Sequence, residues 1–322
     1  MSFLKITTAV TLGMAMSIGT ALAAYPEKPV KIIVGFSAGG GTDTTARGFA
    51  SYMHEAPSMN GMPAVITNIP GASGQKGAKV VVDGDKDGYT LYMINMGTLA
   101  AGELSKGDKA PYKAARDFVV LGCMTQLVSS LMVHRSDPAN TAKEWIDRIK
   151  STGETVKWAS SGATSMHSLI GTLMLDEMGI PHQPVPFKGG SKARAAIVSQ
   201  KLKYGFNGVH IMAGFEDDIK VLAVAGAERD TANPDIPTFG EAGLGDVPIT
   251  GPMCLFAPTG TPKDAIAALE KAVEHVAGTK GYAKYMKKNN LAAFHIPREE
   301  AEKKMAAMYS VFEPLVKKAL LQ

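Results

Sequence analysis

The chain has 322 residues, of which 45% are hydrophobic and 20% are charged, and its formal net charge is +4. These values are typical of a globular protein large enough to form two domains. Lysine and arginine are spread along the chain without aromatic residues interleaved among them, so nucleic acid is excluded as an expected partner. The charge balance leaves a mild preference for anionic partners.

The first 24 residues have the pattern of a secretory signal peptide. Lys5 precedes an apolar run over residues 6–18, and Ala21-Leu22-Ala23 is the small-residue pattern that signal peptidase cleaves. The run is shorter than the roughly 20 apolar residues that span a bilayer, and no later segment qualifies. We therefore expect residues 1–24 to be removed and the mature protein to be free in the periplasm.

One local pattern recurs four times: an apolar strand, a turn rich in glycine and hydroxyl residues, and a helix. The strands are predicted at 30–36, 64–68, 156–159 and 184–187, and the helices after them end near residues 53, 82, 178 and 200. Alternating strands and helices predict an α/β fold with parallel-rich sheets flanked by helices. Ligands of such sheets bind at the carboxyl ends of the strands, where these turns lie.

The turns form two pairs far apart in the chain, which predicts two lobes. We assign residues 25–128 and 254–322 to lobe 1 and residues 129–253 to lobe 2. Strands near 119–123 and 130–134 are expected to carry the chain into lobe 2, and a strand near 252–258 to return it. The helices predicted at 262–277, 282–289 and 298–320 would then pack back on lobe 1. Two crossings make a hinge possible.

The first turn, Ser37 to Asp43, joins a buried strand to a helix. Free backbone amides and a helix N-terminus at one point predict a site for a small anion. Such an N-terminus stabilises a partly buried anion by up to ~2 kcal/mol. For Asp43 we favour a capping role at the helix start over the orientation of water.

Seven motifs, in order, resemble those of the periplasmic receptors of tripartite tricarboxylate transporters, the Bug family. They are Tyr25-Pro26-Glu27-Lys28-Pro29-Val30, Phe36-Ser37-Ala38-Gly39-Gly40-Gly41-Thr42-Asp43, Asn68-Ile69-Pro70-Gly71-Ala72, Asp87-Gly88-Tyr89-Thr90-Leu91, Pro186-Phe187-Lys188-Gly189-Gly190, Pro237-Thr238-Phe239-Gly240-Glu241-Ala242-Gly243 and Ala257-Pro258-Thr259-Gly260-Thr261-Pro262. The resemblance covers essentially the whole mature chain. It implies a two-lobed periplasmic binding protein of type II, a Venus flytrap, that captures a di- or tricarboxylate or a related small organic anion. It also implies delivery to integral membrane permease subunits. We expect a monomer with no enzymatic activity, no cofactor and no metal.

The resemblance further implies which residues bind the ligand. The first-lobe turns are expected to hold a carboxylate, largely through backbone amides, at Phe36, Ser37, Ala38, Gly39, Gly40, Gly41, Thr42, Asp43, Gly71 and Ala72. The second lobe is expected to contribute Ser160, Ser161, Ser165, His167, Phe187, Lys188, Gly189 and Asn207. His167 is either a donor to the ligand or a structural partner, and Lys188 either pairs with the ligand or points to solvent.

The other histidines receive no role. His134, His182, His210, His275 and His295 show no metal-ligand spacing, and none is assigned to a site.

Two alternatives stay open at this stage. Gly35-Phe36-Ser37-Ala38-Gly39 matches the GxSxG nucleophile elbow of an exported serine hydrolase, although it stands too early in the mature chain for the strands that a hydrolase needs before it. The second alternative concerns the positively charged residues Lys192, Arg194, Lys201 and Lys203. They suggest a ligand with more than one negative charge or a sulfonate, but we favour the interpretation that they are solvated surface residues. Aromatic acids are also possible ligands.

Cys123 and Cys254, the only cysteines, both lie in apolar, strand-like sequence. We favour two buried free thiols, with a disulfide in an oxidising compartment as the alternative.

Overall fold

The structure is a computed structural model that describes residues 25–320. The predicted signal peptide, residues 1–24, lies outside the described residues. The strands are β1 (Val30–Val34), β2 (Ala64–Asn68), β3 (Thr90–Asn95), β4 (Phe118–Leu127), β5 (Ser129–His134), β6 (Val156–Ser160), β7 (His182–Pro186), β8 (Tyr204–Gly208), β9 (Ile219–Val224) and β10 (Gly251–Pro258). The helices are α1 (Gly41–Met53), α2 (Gln75–Asp83), α3 (Met96–Leu104), α4 (Ala114–Asp117), α5 (Ala142–Thr152), α6 (Met166–Glu177), α7 (Gly190–Val198), α8 (Lys263–Gly278), α9 (Lys280–Lys288) and α10 (Arg298–Leu320).

The strands form two five-stranded sheets, in the orders β2-β1-β3-β10-β4 and β7-β6-β8-β5-β9. In each sheet three neighbouring strands are parallel, because a helix returns the chain between them. The other two strands of each sheet run antiparallel to their neighbours. Both sheets are therefore mixed, and the predicted α/β, two-lobed fold is confirmed.

All four predicted strand–turn–helix units are present. The strands β1, β2 and β6 have mostly apolar sequences, whereas β7 is the more exposed His182–Pro186, and each helix follows a turn of small residues. Because the three neighbouring strands of each sheet are parallel, their carboxyl ends lie at one edge. The four turns therefore lie at the edges where the two sheets face each other, which positions the site described below.

The chain passes between the sheets where β4 gives way to β5, with only Val128 between the two strands, and it returns through β10. Short extended crossings of this kind can act as hinges. The boundaries between the lobes remain a prediction. The predicted return to lobe 1, at residue 254, falls inside β10, which begins at Gly251 and lies entirely in the first sheet.

The C-terminal helix α10 departs from its prediction. It packs on α3 and β4 of the first lobe, as expected, but it also contacts α6 of the second lobe. Phe312 and Val316 are buried in the same apolar cluster as Trp145 and Trp158 of the second lobe. A 23-residue helix is long enough to reach both lobes, and the sequence pattern alone does not show which partners its apolar face meets.

The favoured interpretation of the two cysteines was wrong. Cys123 and Cys254 form a disulfide, because they lie directly opposite each other in the antiparallel pair of β4 and β10. The bond links the strand that leaves the first lobe to the strand that returns to it.

Candidate functional site

A buried cavity of about 30 Å³ lies between the two lobes. It holds no more than a few water molecules. Its lining residues come from both lobes and include no acidic residue, lysine or arginine: Phe36, Gly40, Gly41, Thr42, Asn95, Thr98, Leu127, Ser161, Ser165, His167, Gly190, Asn207, Gly208, His210 and Ile211.

Four helix N-termini meet at this cavity. The lining residues include the starts of α1 and α3 from the first lobe and of α6 and α7 from the second. The N-termini of α3 and α6 are capped by their own side chains, since Asn95 accepts from the Thr98 amide and Ser165 from the Ser168 amide. Each helix directs the positive end of its dipole at the cavity. The electrostatic environment therefore favours an anion.

The starts of α1 and α7 differ from the other two because their N-cap residues, Gly40 and Gly189, have no side chain to accept from the first-turn amides. The first amides of a helix have no acceptor one turn earlier; in α7 the Lys192 amide is nevertheless bonded, to the Gly189 carbonyl at 3.2 Å, which leaves those of Gly190 and Ser191. The two ends also face each other across the cleft: a Cβ on Gly40 would lie 3.5 Å from the Gly190 nitrogen. The small residues thus bring two sets of uncapped amides to one point.

Asp43 stabilises the start of α1 and does not line the cavity. Its carboxylate accepts from the Gly39 amide at 2.8 Å, from Arg47 Nε at 2.9 Å and from Asn68 Nδ2 at 2.9 Å. Burial alone would raise the pKa of this carboxyl, but these hydrogen bonds hold it below the usual value. One consequence is a correction: the Gly39 amide is already occupied and is not a free donor for a ligand.

The histidines His167 and His210 are both buried against the cavity. His167 Nδ1 shares a 2.6 Å hydrogen bond with Ser129 Oγ, which leaves Nε2 for a ligand. In His210 both ring nitrogens are buried without a hydrogen-bond partner. Burial lowers the pKa of His167 to about 4 and that of His210 to about 3, the latter also because of nearby His167 and Arg194. Both rings are therefore neutral at pH 7.

The glycines around His210 fix its position. A Cβ on Gly41 would lie 2.2 Å from His210 Nε2, and one on Gly208 would lie 2.3 Å from Cε1 of the same ring. The imidazole thus fills the gap between the start of α1 in one lobe and the end of β8 in the other. A side chain at either glycine would collide with the ring.

The second-lobe hydroxyl residues divide between the cavity and the scaffold. Ser161 and Ser165 line the cavity and share a 3.3 Å hydrogen bond. Ser160 is fully buried and donates to the Gly162 carbonyl, so it supports the turn from behind.

A second cavity, of about 240 Å³, adjoins the first and shares Phe36 and Ser161 with it. It contains the predicted residues Gly71, Ala72, Phe187 and Lys188. The two glycine-rich turns of the first lobe therefore open into neighbouring parts of one cleft.

Hydrogen bonds close the cleft directly from lobe to lobe. The Ser37 amide and hydroxyl both donate to the Lys188 carbonyl, at 3.0 and 2.9 Å, and Ser191 Oγ donates to the Ala38 carbonyl at 2.8 Å. The Thr164 amide donates to Ser73 Oγ, and the Met166 amide to Thr98 Oγ1. Ser37, Ala38 and Gly189 thus lie in the contact between the lobes and do not line either cavity.

Ser37 does not have the surroundings of a hydrolase nucleophile. Among the described residues, the partner of its hydroxyl is the Lys188 carbonyl and not an imidazole. A nucleophilic serine needs a base within hydrogen-bond reach. The linings of the two cavities do not include Lys192, Arg194, Lys201 or Lys203. Arg194 lies behind the cavity wall, where it donates to the Ile211 carbonyl and stacks on Phe215.

Seven lining residues were missed by the sequence analysis, namely Asn95, Thr98, Leu127, Gly190, Gly208, His210 and Ile211. Asn95 carries a detectable signal, because an asparagine between an apolar strand and a helix is a common N-cap. His210 carries none, since the helix start that it meets belongs to a distant part of the chain.

Neither a membrane helix nor a metal cluster emerges between residues 25 and 320. None of the helices there has the length and apolar character needed to cross a bilayer. The same residues contain no group of three His, Cys, Asp or Glu side chains placed to hold a metal ion.

Two mixed sheets joined by short crossings, with an anion-favouring site between them, define the two-lobed periplasmic binding protein class. The model of the tripartite tricarboxylate transporter family receptors matches residues 49–320. The chain belongs to this family.

Individual relatives support the assignment. The chain is 28% identical over 255 residues to the UPF0065 protein in the TAR-I ttuE-ttuC' intergenic region of Agrobacterium vitis, covering 78% of this chain and 71% of that one. It resembles the periplasmic binding protein BugD with a TM-score of 0.82 and 25% identity, over 92% of this chain and 98% of that one. It resembles MatC from Rhodopseudomonas palustris, solved with bound malate, with a TM-score of 0.82 and 26% identity, over 91% of this chain and all of that one.

Proposed function

We propose that this protein is a periplasmic receptor that captures a small organic carboxylate between its lobes. The carboxylate docks on the uncapped amides at the starts of α1 and α7, with His167 and His210 as further donors. The protein does no covalent chemistry and works as a monomer. It passes its ligand to integral membrane permease subunits of a tripartite tricarboxylate-type transporter.

The observation that carries this proposal is the convergence of four helix N-termini on one buried cavity that acidic side chains do not line. Such a site favours a negative charge without a lysine or arginine. The malate bound by the similar MatC supports a carboxylate as the anion. The lobes must separate before ligand enters, because direct hydrogen bonds close the cleft between them.

A thermal-shift screen tests the proposal. The mature protein is unfolded and refolded to strip ligand, then heated with mono-, di- and tricarboxylates and with aromatic and sulfonated acids. A ligand present at about 100 times its Kd stabilises the native state by about 2.7 kcal/mol, which raises Tm by several degrees. We expect such a shift with at least one carboxylate.

The variant Gly41→Ala locates the site. Its Cβ would collide with His210 at the start of α1, so the expected result is a folded protein whose Tm no longer responds to the acid. Gly278→Ala is the matched control, because nothing lies within 4 Å of its Cβ, and it should respond like the wild type. The proposal is wrong if no acid shifts Tm, or if Gly41→Ala responds normally.

A further inference from the structure

The second-lobe wall of the cavity holds polar atoms that no protein group satisfies. They are Oδ1 of Asn207 and both ring nitrogens of His210, all buried. Asn207 is 0% exposed and His210 is 6% exposed. A buried polar atom without a partner costs free energy, and each such atom in a native structure needs an explanation. Here all three belong to residues that line the proposed ligand site.

The orientation of the Asn207 amide follows from its neighbour. Nδ2 lies 3.2 Å from the Ala159 carbonyl, which only accepts hydrogen bonds, so the amino group must face it. Oδ1 is therefore the unsatisfied atom, and it is an acceptor. It needs a donor from outside the protein.

The His210 ring adds one acceptor and one donor. A neutral imidazole carries one N–H and one lone pair, whichever tautomer is present. Burial and the nearby groups His167 and Arg194 keep the ring neutral at pH 7. The unsatisfied set is therefore two acceptors and one donor.

A ligand whose polar groups are all ionised carboxylates can only accept hydrogen bonds. It would satisfy the His210 N–H but leave both acceptors empty. Resting on the function proposed above, we infer that the ligand is an organic acid that also carries a hydrogen-bond donor, a hydroxycarboxylate being the simplest. Its carboxylate meets the helix N-termini and the imidazole N–H, while its hydroxyl donates to Asn207 or to the other ring nitrogen of His210.

Matched pairs of acids test this inference on the refolded, ligand-stripped protein. Titration calorimetry at pH 7.5 compares malate with succinate, lactate with propionate, and citrate with propane-1,2,3-tricarboxylate. Within the pair that binds, the hydroxy acid should bind at least tenfold more tightly, because its analogue leaves a buried acceptor unpaired. Equal affinities within that pair would show that water fills the role and would overturn the inference while the proposed function stands. If no member binds while an acid without a donor shifts Tm in the wider screen, the inference is wrong and the proposed function stands. If no acid binds in either experiment, both are wrong.

Variants at the two residues give a second measurement. In Asn207→Leu and His210→Ala, affinity for the hydroxy acid should fall toward that of its analogue, so that the preference shrinks to about threefold or less. His210→Gln keeps a donor and an acceptor and should retain part of the preference. His275→Ala is the control, because this residue does not line the cavity, and it should keep the full preference. Urea unfolding verifies that each variant is folded. A full preference in both Asn207→Leu and His210→Ala would overturn the assignment.

Discussion

At the scale of single residues, His210 joins the two lobes. Its ring lies against Gly41 of the first lobe and Gly208 of the second, so it is buried by both. The sequence identifies the glycines of the first turn as an anion site, because a strand end, a glycine run and a helix start are local patterns. It gives no role to His210, because the burial of this ring results from its contact with the start of α1, which is far away in the chain. The side chains proposed to set ligand specificity are thus less predictable than the backbone proposed to bind the carboxylate.

Buried neutral histidines make stability depend on pH. The pKa of His167 is about 4 and that of His210 about 3 in the folded protein, against ~6.5 when unfolded. The unfolded state therefore binds more protons as pH falls below ~6.5, and folding stability falls with it until the folded rings also titrate. Between pH 7.5 and pH 5 each ring should cost about 2 kcal/mol of stability.

Urea unfolding at the two pH values measures this loss. His167→Gln and His210→Gln should each remove about half of the pH-dependent part, and the double variant should remove most of it, whatever its stability at pH 7.5. A double variant with the wild-type pH dependence would contradict the assignment.

At the scale of elements, the order of strands and helices was largely predictable and their partners were not. The four strand–turn–helix units are confirmed because apolar strands and small-residue turns are encoded locally. The strands β3, β8 and β9 were not predicted, although they complete both sheets. Helix α10 was predicted over its full length, but its contact with the second lobe depends on how the lobes are placed.

The double attachment of α10 leads to a prediction about stability. Phe312 is fully buried and belongs to the apolar cluster that contains the second-lobe tryptophans. Phe312→Ala should lower the free energy of unfolding by about 3–5 kcal/mol, since it removes a large buried ring and leaves a cavity. Val311→Ala, one residue earlier on the same helix and 40% exposed, should change it by less than about 1 kcal/mol. Urea unfolding of both variants checks this, and similar losses in the two would show that the Phe312 contact is unimportant.

At the scale of the whole molecule, the structure is a closed form. The cavity between the helix N-termini holds only water-sized space, and direct hydrogen bonds join the turns of the two lobes. Besides the Ser37 hydroxyl, two serine side chains form such bonds: Ser191 donates to the Ala38 carbonyl, and Ser73 accepts from the Thr164 amide. Ligand capture then requires an equilibrium between this form and an open one.

Removing both serine hydroxyls should shift that equilibrium toward the open form. Each lost hydrogen bond costs the closed state about 0.5–1.5 kcal/mol, so Ser73→Ala/Ser191→Ala should favour opening by about 1–3 kcal/mol. Small-angle X-ray scattering should then show a larger radius of gyration without ligand. Affinity for the acid should fall with the closed fraction, because the lobes close on the bound acid and that closure loses the same hydrogen bonds.

Ser58→Ala separates this effect from a general loss of stability. The Ser58 hydroxyl donates to the Ala268 carbonyl within the first lobe, so its removal costs a similar hydrogen bond that does not cross the cleft. This control should unfold slightly more easily in urea, yet keep the wild-type radius of gyration and affinity. If the double variant behaved like Ser58→Ala, the hydroxyls of Ser73 and Ser191 would contribute only to folding. Closure of the lobes would then have to depend on the apolar contacts of α10 with the second lobe.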